Sequence, residues 1–134
     1  MKNKIDIEII NEDKKQLMKA QQGELDAVII YHKLAEVINN TDNKKVFLKI
    51  AADEGKHASI LKKYTGEKLR PKKFKSLIIF SIYKIFGVKV TLNILIKGEL
   101  KAAREYERFT LKFPKIQQIL KDEELHGELM KNML

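Results

Sequence analysis

The chain contains no cysteine. That removes disulfides, thiolate nucleophiles, Cys-ligated zinc and iron–sulfur or rubredoxin-type centres, so any metal must rest on oxygen and nitrogen donors. Glycine and proline are scarce, at 6 and 2 of 134 residues, and tryptophan is absent. With turn formers so rare and Lys, Glu, Leu, Ile and Ala abundant, the composition reads as all-α. The stretch Met1 to Asp13 alternates charges with isolated Ile residues and lacks the continuous apolar run of a signal peptide, which makes a cytoplasmic location the expectation. The length suits one domain spanning residues 1–134.

Net charge is +9, from 27 Lys and Arg against 18 Asp and Glu. The cations are scattered, acids are interleaved among them, and no DNA- or RNA-binding motif occurs, so nucleic acid is not an expected partner.

Four amphipathic helices follow from apolar residues at three- and four-residue steps. The first, from about Glu12 to Val37, carries Leu17, Ala20, Glu24, Ala27 or Val28, Tyr31, Leu34 and Ile38 on one face. After the turn and cap cluster Asn39 to Asp42, the second carries Val46 or Phe47, Ile50, Glu54, His57, Leu61 and Tyr64, and Gly66 closes it. A third run passes through Leu92, Leu95 or Ile96, Glu99, Ala102 or Ala103, Tyr106, Phe109 and Phe113 until Pro114 interrupts it. The fourth carries Ile116, Ile119 or Leu120, Glu123, His126, Met130 and Met133.

Between the pairs lie a basic connector, Lys68 to Lys75, and an apolar stretch, Leu77 to Ile96. A bilayer span there would hold Lys84 and Lys89 near its centre at about 2.5 to 3.5 kcal/mol each, so a short helix and a bend at Gly87 are expected instead. The two halves repeat one pattern: Glu24 with Tyr31 and Glu99 with Tyr106 at seven residues, then Glu-x-x-His as Glu54 to His57 and as Glu123 to His126.

The placement of the four glutamates demands an explanation. Charged residues are seldom buried unless paired or metal-bound, yet these four sit in register with Leu, Ile and Tyr on the core faces. Carboxylates converging in a low-dielectric core repel one another and take up protons, whereas two divalent cations neutralise a charge of minus four. Residues three apart share a helix face, so each Glu-x-x-His aims a carboxylate and an imidazole at one point. One such motif is a weak signal; two, each preceded by a helix with its own core Glu, specify a two-metal site on Glu24, Glu54, His57, Glu99, Glu123 and His126. Tyr31 and Tyr106, two turns from Glu24 and Glu99, are placed to hydrogen-bond a ligand carboxylate or relay an electron. Asp53 and Glu124 adjoin the ligands in sequence and are expected at the surface or behind them. His32 is expected in solvent.

The stretches GELDAVIIY (Gly23 to Tyr31), IAADEGKH (Ile50 to His57), KGELKAAREY (Lys97 to Tyr106) and LKDEELH (Leu120 to His126) resemble the rubrerythrin-like branch of the ferritin-like proteins. The resemblance implies an antiparallel four-helix bundle of two helix pairs, with a long connector between the second and third helices. It implies two iron ions, with Mn or Zn able to replace them: Glu24 and His57 on one, Glu99 and His126 on the other, Glu54 and Glu123 bridging. It also implies oxidation of Fe(II) by O2 or reduction of hydrogen peroxide, the latter with an external electron donor. Two departures stand out: no cysteine for a rubredoxin-type centre, and Ala102 where full rubrerythrins carry a further glutamate. The connector and apolar stretch are more like ferritin-like domains fused to vacuolar-iron-transporter-like membrane proteins. That likeness implies an iron-binding and transfer module beside a membrane partner as the alternative. The apolar surface of Leu77 to Ile96 predicts a homodimer, and with Lys68 to Lys75 it is the expected place of any peripheral membrane contact.

Overall fold

The computed structural model describes the backbone of residues 4–134 and the side chains from residue 11 onward. Five helices and no strand occupy the described residues: α1 (Lys4–Val37), α2 (Thr41–Thr65), α3 (Phe74–Phe86), α4 (Val88–Glu107) and α5 (Ile116–Lys131). The breaks fall where local chemistry puts them. Asn40 caps α2 by accepting a hydrogen bond from the Asn43 amide at 3.0 Å. Gly66 ends the helix in the left-handed region, at φ 69°, with its N–H bonded to the Lys62 carbonyl. Gly87, at φ 88°, makes the bend between α3 and α4.

Two boundaries differ from the periodicity. The helical backbone of α1 begins at Lys4, ahead of Glu12, since no Pro or Gly interrupts the chain there. The third core helix, expected to reach Phe113, ends at Glu107. Pro114 has no N–H and disfavours helical backbone at the residue before it, so no α-helix runs on through Phe113. Three-residue bonds from the Phe109 amide to Tyr106 O and from Ile116 to Phe113 O carry it over into α5. Phe109 and Phe113 keep their three- and four-residue spacing through these turns and stay in the aromatic core, with Phe113 edge-on to Tyr64 at 4.8 Å.

Helices α1 and α2 pack antiparallel: Gln21 meets Thr65 at one end, and Tyr31 meets Phe47 at the other. Helices α4 and α5 pair in the same way, and the two pairs face each other. The segment between them is fastened along α1. Gln21 donates to the Glu67 carbonyl, Gln22 to the Arg70 carbonyl, and the buried Asp26 accepts from the Lys72 amide, at 2.9, 2.8 and 2.7 Å. Further along, Lys33 covers the Phe80 ring of α3 at 4.9 Å. The chain thus climbs beside α1 before Gly87 turns it back, and α4 descends antiparallel to α1.

Two apolar clusters result. One gathers Tyr31, Phe47, Ile50, Leu92, Ile96 and Met130; the other gathers Leu17, Leu61, Tyr106, Phe109, Ile116 and Ile119. Fully buried Leu and Ile side chains stabilise by about 1.5–3 kcal/mol each, which lets these layers hold a costly polar layer between them.

Candidate metal centre

Glu24, Glu54, His57, Glu99, Glu123 and His126 are all at most 5% exposed, and they meet between the two apolar clusters. Each core helix supplies its part: α1 gives Glu24, α2 gives Glu54 and His57, α4 gives Glu99, and α5 gives Glu123 and His126. Their donor atoms form two groups, each with all members within 4.8 Å of one another: Glu24, Glu54, His57 and Glu123, and Glu54, Glu99, Glu123 and His126. Glu54 and Glu123 belong to both. The imidazole rings lie 5.9 Å apart and nearly parallel, at 26°.

Both histidines turn Nδ1 inward. Around His57 Nδ1 stand Glu123 Oε1 at 3.0 Å, Glu24 Oε2 at 3.3 Å and Glu54 Oε1 at 3.4 Å. Around His126 Nδ1 stand Glu54 Oε1 at 3.2 Å, Glu99 Oε2 at 3.6 Å and Glu123 Oε1 at 3.8 Å. The outward nitrogens are held across the halves: His57 Nε2 lies 2.8 Å from Asp122 Oδ2 and His126 Nε2 lies 2.9 Å from Asp53 Oδ2. An Nε2–H donated to a carboxylate leaves a lone pair on Nδ1, aimed among carboxylate oxygens. Such an arrangement calls for a cation, either a proton or a metal ion.

The tyrosines complete the frame. Tyr31 donates to Glu99 Oε1 and Tyr106 to Glu24 Oε1, both at 2.6 Å, so each phenol serves a glutamate of the other half. Burial, followed by the Glu99 charge for Tyr31 and the Glu24 charge for Tyr106, raises both pKa values and keeps the phenols as donors. Burial and the Glu24 charge push the Glu54 and Glu123 carboxyls well above the usual carboxylate range. Burial opposes charge on His57, but the Glu123, Glu24 and Glu54 carboxylates close around Nδ1 outweigh it and raise its pKa; the nearby Glu99 and Asp53 carboxylates do the same for His126. Burial also opposes charge on Asp53, yet bonds from Lys49 and His126 lower its pKa, so it stays ionised. Without metal, protons occupy the places that cations would take.

The donor set fits a pair of metal ions. Glu54 Oε1, Glu99 Oε2, Glu123 Oε1 and His126 Nδ1 are buried atoms without a hydrogen-bond partner, and all four belong to the six residues. Orphaned buried polar atoms are rare and individually cost about 1–3 kcal/mol. Concentrated here, they form groups that could hold a metal ion.

The sequence-expected residues all come together, and His32 is exposed. Asp53 bonds a histidine, while Glu124 is exposed. Asp122 was missed by the spacing argument. Its signal was present: Asp precedes the Glu of Glu-x-x-His in both halves, as Asp53-Glu54 and Asp122-Glu123.

A groove of about 910 Å³ between α1 and α4 leads from solvent to Glu24, Glu54, Glu99 and Glu123. Ala20, Gly23 and Ala27 on one wall and Gly98 and Ala102 on the other leave it open, and Lys19, Lys101, Arg104 and Arg108 stand among its outer residues.

Paired helices that converge four carboxylates and two imidazoles on one buried point define the class of helical di-metal carboxylate proteins. The sequence profile of the Rubrerythrin family matches residues 15–134, and the chain belongs to that family. Comparison with curated proteins and with solved structures found no match.

Proposed function

We propose that this chain is a di-iron carboxylate protein of ferritin-like four-helix architecture that oxidises Fe(II) with O2 or reduces hydrogen peroxide. The observation that carries the reading is the pair of buried donor groups sharing Glu54 and Glu123, with the orphaned atoms concentrated on them. Glu24 and His57 would hold one ion, Glu99 and His126 the other, with the two shared glutamates between them. When bound, two iron ions supply the electrons for reducing dioxygen or peroxide, one from each ion.

The chain's own groups do the rest. Asp122 and Asp53 fix the tautomer of His57 and His126, so Nδ1 stays available to a cation. Tyr106 and Tyr31 each bind one oxygen of Glu24 and Glu99, which sets the orientation of those carboxylates. The apolar layers exclude water from above and below, and the α1/α4 groove admits a small oxidant. The chain supplies no cysteine-ligated electron relay, so peroxide turnover would draw on an external donor.

That same absence favours a second reading, in which iron is bound, oxidised once and passed on without turnover. Anaerobic Fe(II) titration followed by air or peroxide tests both. Retention of two ions per chain and growth of ferric absorbance are expected. Repeated peroxide consumption with an added reductant marks the peroxidase; a single oxidation followed by release to a chelator marks the transfer module. No retained iron and no ferric absorbance would refute both.

A further inference from the structure

Charge along the chain is unevenly placed. Between Glu67 and Glu99 Lys and Arg occur eight times and Asp or Glu not once, so this segment alone carries +8 of the net +9. The same segment holds the largest exposed apolar side chains outside the turns. Phe74, Leu77, Ile85 and Phe86 on α3 are 62–74% exposed, and Val90 and Ile94 on α4 continue the surface. On α3 the exposed positions Phe74, Leu77, Ile78, Ser81 and Ile85 follow helical spacing, so one apolar stripe faces solvent while Ile79 and Tyr83 pack on the core. An outward stripe of this kind has no role in holding the bundle together.

We infer that the α3 face docks on an anionic lipid surface, with the stripe entering the headgroup boundary and the flanking lysines engaging lipid phosphates. The inference does not depend on what the metal centre binds. Helix α3 has 13 residues, about 20 Å of rise, against about 30 Å of bilayer hydrocarbon. No described helix is long and apolar enough to cross a membrane, so the element lies along the interface. A second copy of the chain is the competing occupant. Two-fold pairing through this face would set like-charged rows against each other, whereas an anionic surface complements them. Docking also orients the centre: Lys75 and Ile79 of α3 and Ile94 of α4 line the groove to the glutamates, so its mouth opens beside the lipid.

The test is vesicle co-sedimentation of the intact chain, using phosphatidylcholine alone and phosphatidylcholine mixed with phosphatidylglycerol. Binding to the mixed vesicles only, weakened by salt, is expected. Each cation removed should weaken it about fivefold, so Lys72→Gln with Lys73→Gln and Lys75→Gln together cost roughly a hundredfold. Leu77→Ser with Ile85→Ser and Phe86→Ser should also release the chain while leaving its helical circular dichroism unchanged, because these side chains are exposed. Equal binding to both vesicles, or to neither, would overturn the inference. So would a stable dimer, seen by sedimentation velocity, that Ile85→Ser dissociates, since a second copy would then occupy the face.

Discussion

Asp122 offers the sharpest test of the centre because it touches a proposed ligand without being one. Its carboxylate stands 2.8 Å from His57 Nε2, and its side chain is 23% exposed. A hydrogen bond involving an ionised group is worth about 1.5–3 kcal/mol, and partial exposure lets water replace part of it, which points to the lower end. About 1.5 kcal/mol is roughly tenfold in affinity, in line with the 10–100-fold usually lost when the partner of a ligating histidine is removed. Asp122→Ala should therefore weaken metal binding about tenfold. Asp122→Asn should cost less, because its amide oxygen still accepts from Nε2–H and holds the tautomer. Glu124→Ala, an exposed acid two residues further on, should change nothing. Anaerobic competition of Fe(II) against a chromophoric chelator measures all three. Wild-type affinity in Asp122→Ala, or an equal loss in Glu124→Ala, would refute the reasoning.

Tyr106→Phe removes a 2.6 Å bond to buried Glu24 and should lower stability by about 1.5–3 kcal/mol in urea denaturation. The metal-free chain should lose stability as pH rises. Glu54 and Glu123 have folded-state pKa values raised from 4.5, and His57 and His126 from 6.5. Groups raised in this way stabilise fully below their unfolded values, and that contribution is lost as pH climbs through the folded ones. Tm should therefore fall as pH rises past the unfolded values of 4.5 and then 6.5, and bound metal should restore it. A flat alkaline profile would contradict the proton-filled centre. Glu54→Gln removes one of the carboxyls that must ionise, so it should raise the metal-free Tm at alkaline pH, by about 4 °C for each kcal/mol, while abolishing two-ion loading. Scanning calorimetry with metal titration reads both effects.

The convergence of the candidate ligands was legible in the sequence because a glutamate at a core position is chemically conspicuous. Glu24 aligned with Leu17 and Tyr31, or Glu99 with Leu92 and Tyr106, could be recognised from helical spacing alone. The cap at Asn40, the stop at Gly66 and the bend at Gly87 were equally local. Which face meets which was not local. Spacing places Tyr31 on the face of Glu24, but only packing shows that its hydroxyl reaches Glu99, and that Asp53 and Asp122 each serve the histidine of the opposite half. The end of α4 was hidden for a related reason: Tyr106, Phe109 and Phe113 keep their rhythm through turns that are not α-helix.

The four bonds Tyr31–Glu99, Tyr106–Glu24, His57–Asp122 and His126–Asp53 each join one half of the chain to the other. The centre is therefore an interface between two quasi-identical protomers that happen to share a backbone. Two separate copies of such a unit would complete it only as concentration allowed. Here the segment fastened along α1 acts as a tether, holding the second unit at an effective concentration of about millimolar or higher. Assembly of the centre becomes a first-order event, independent of dilution. Opening either half then dissociates the whole.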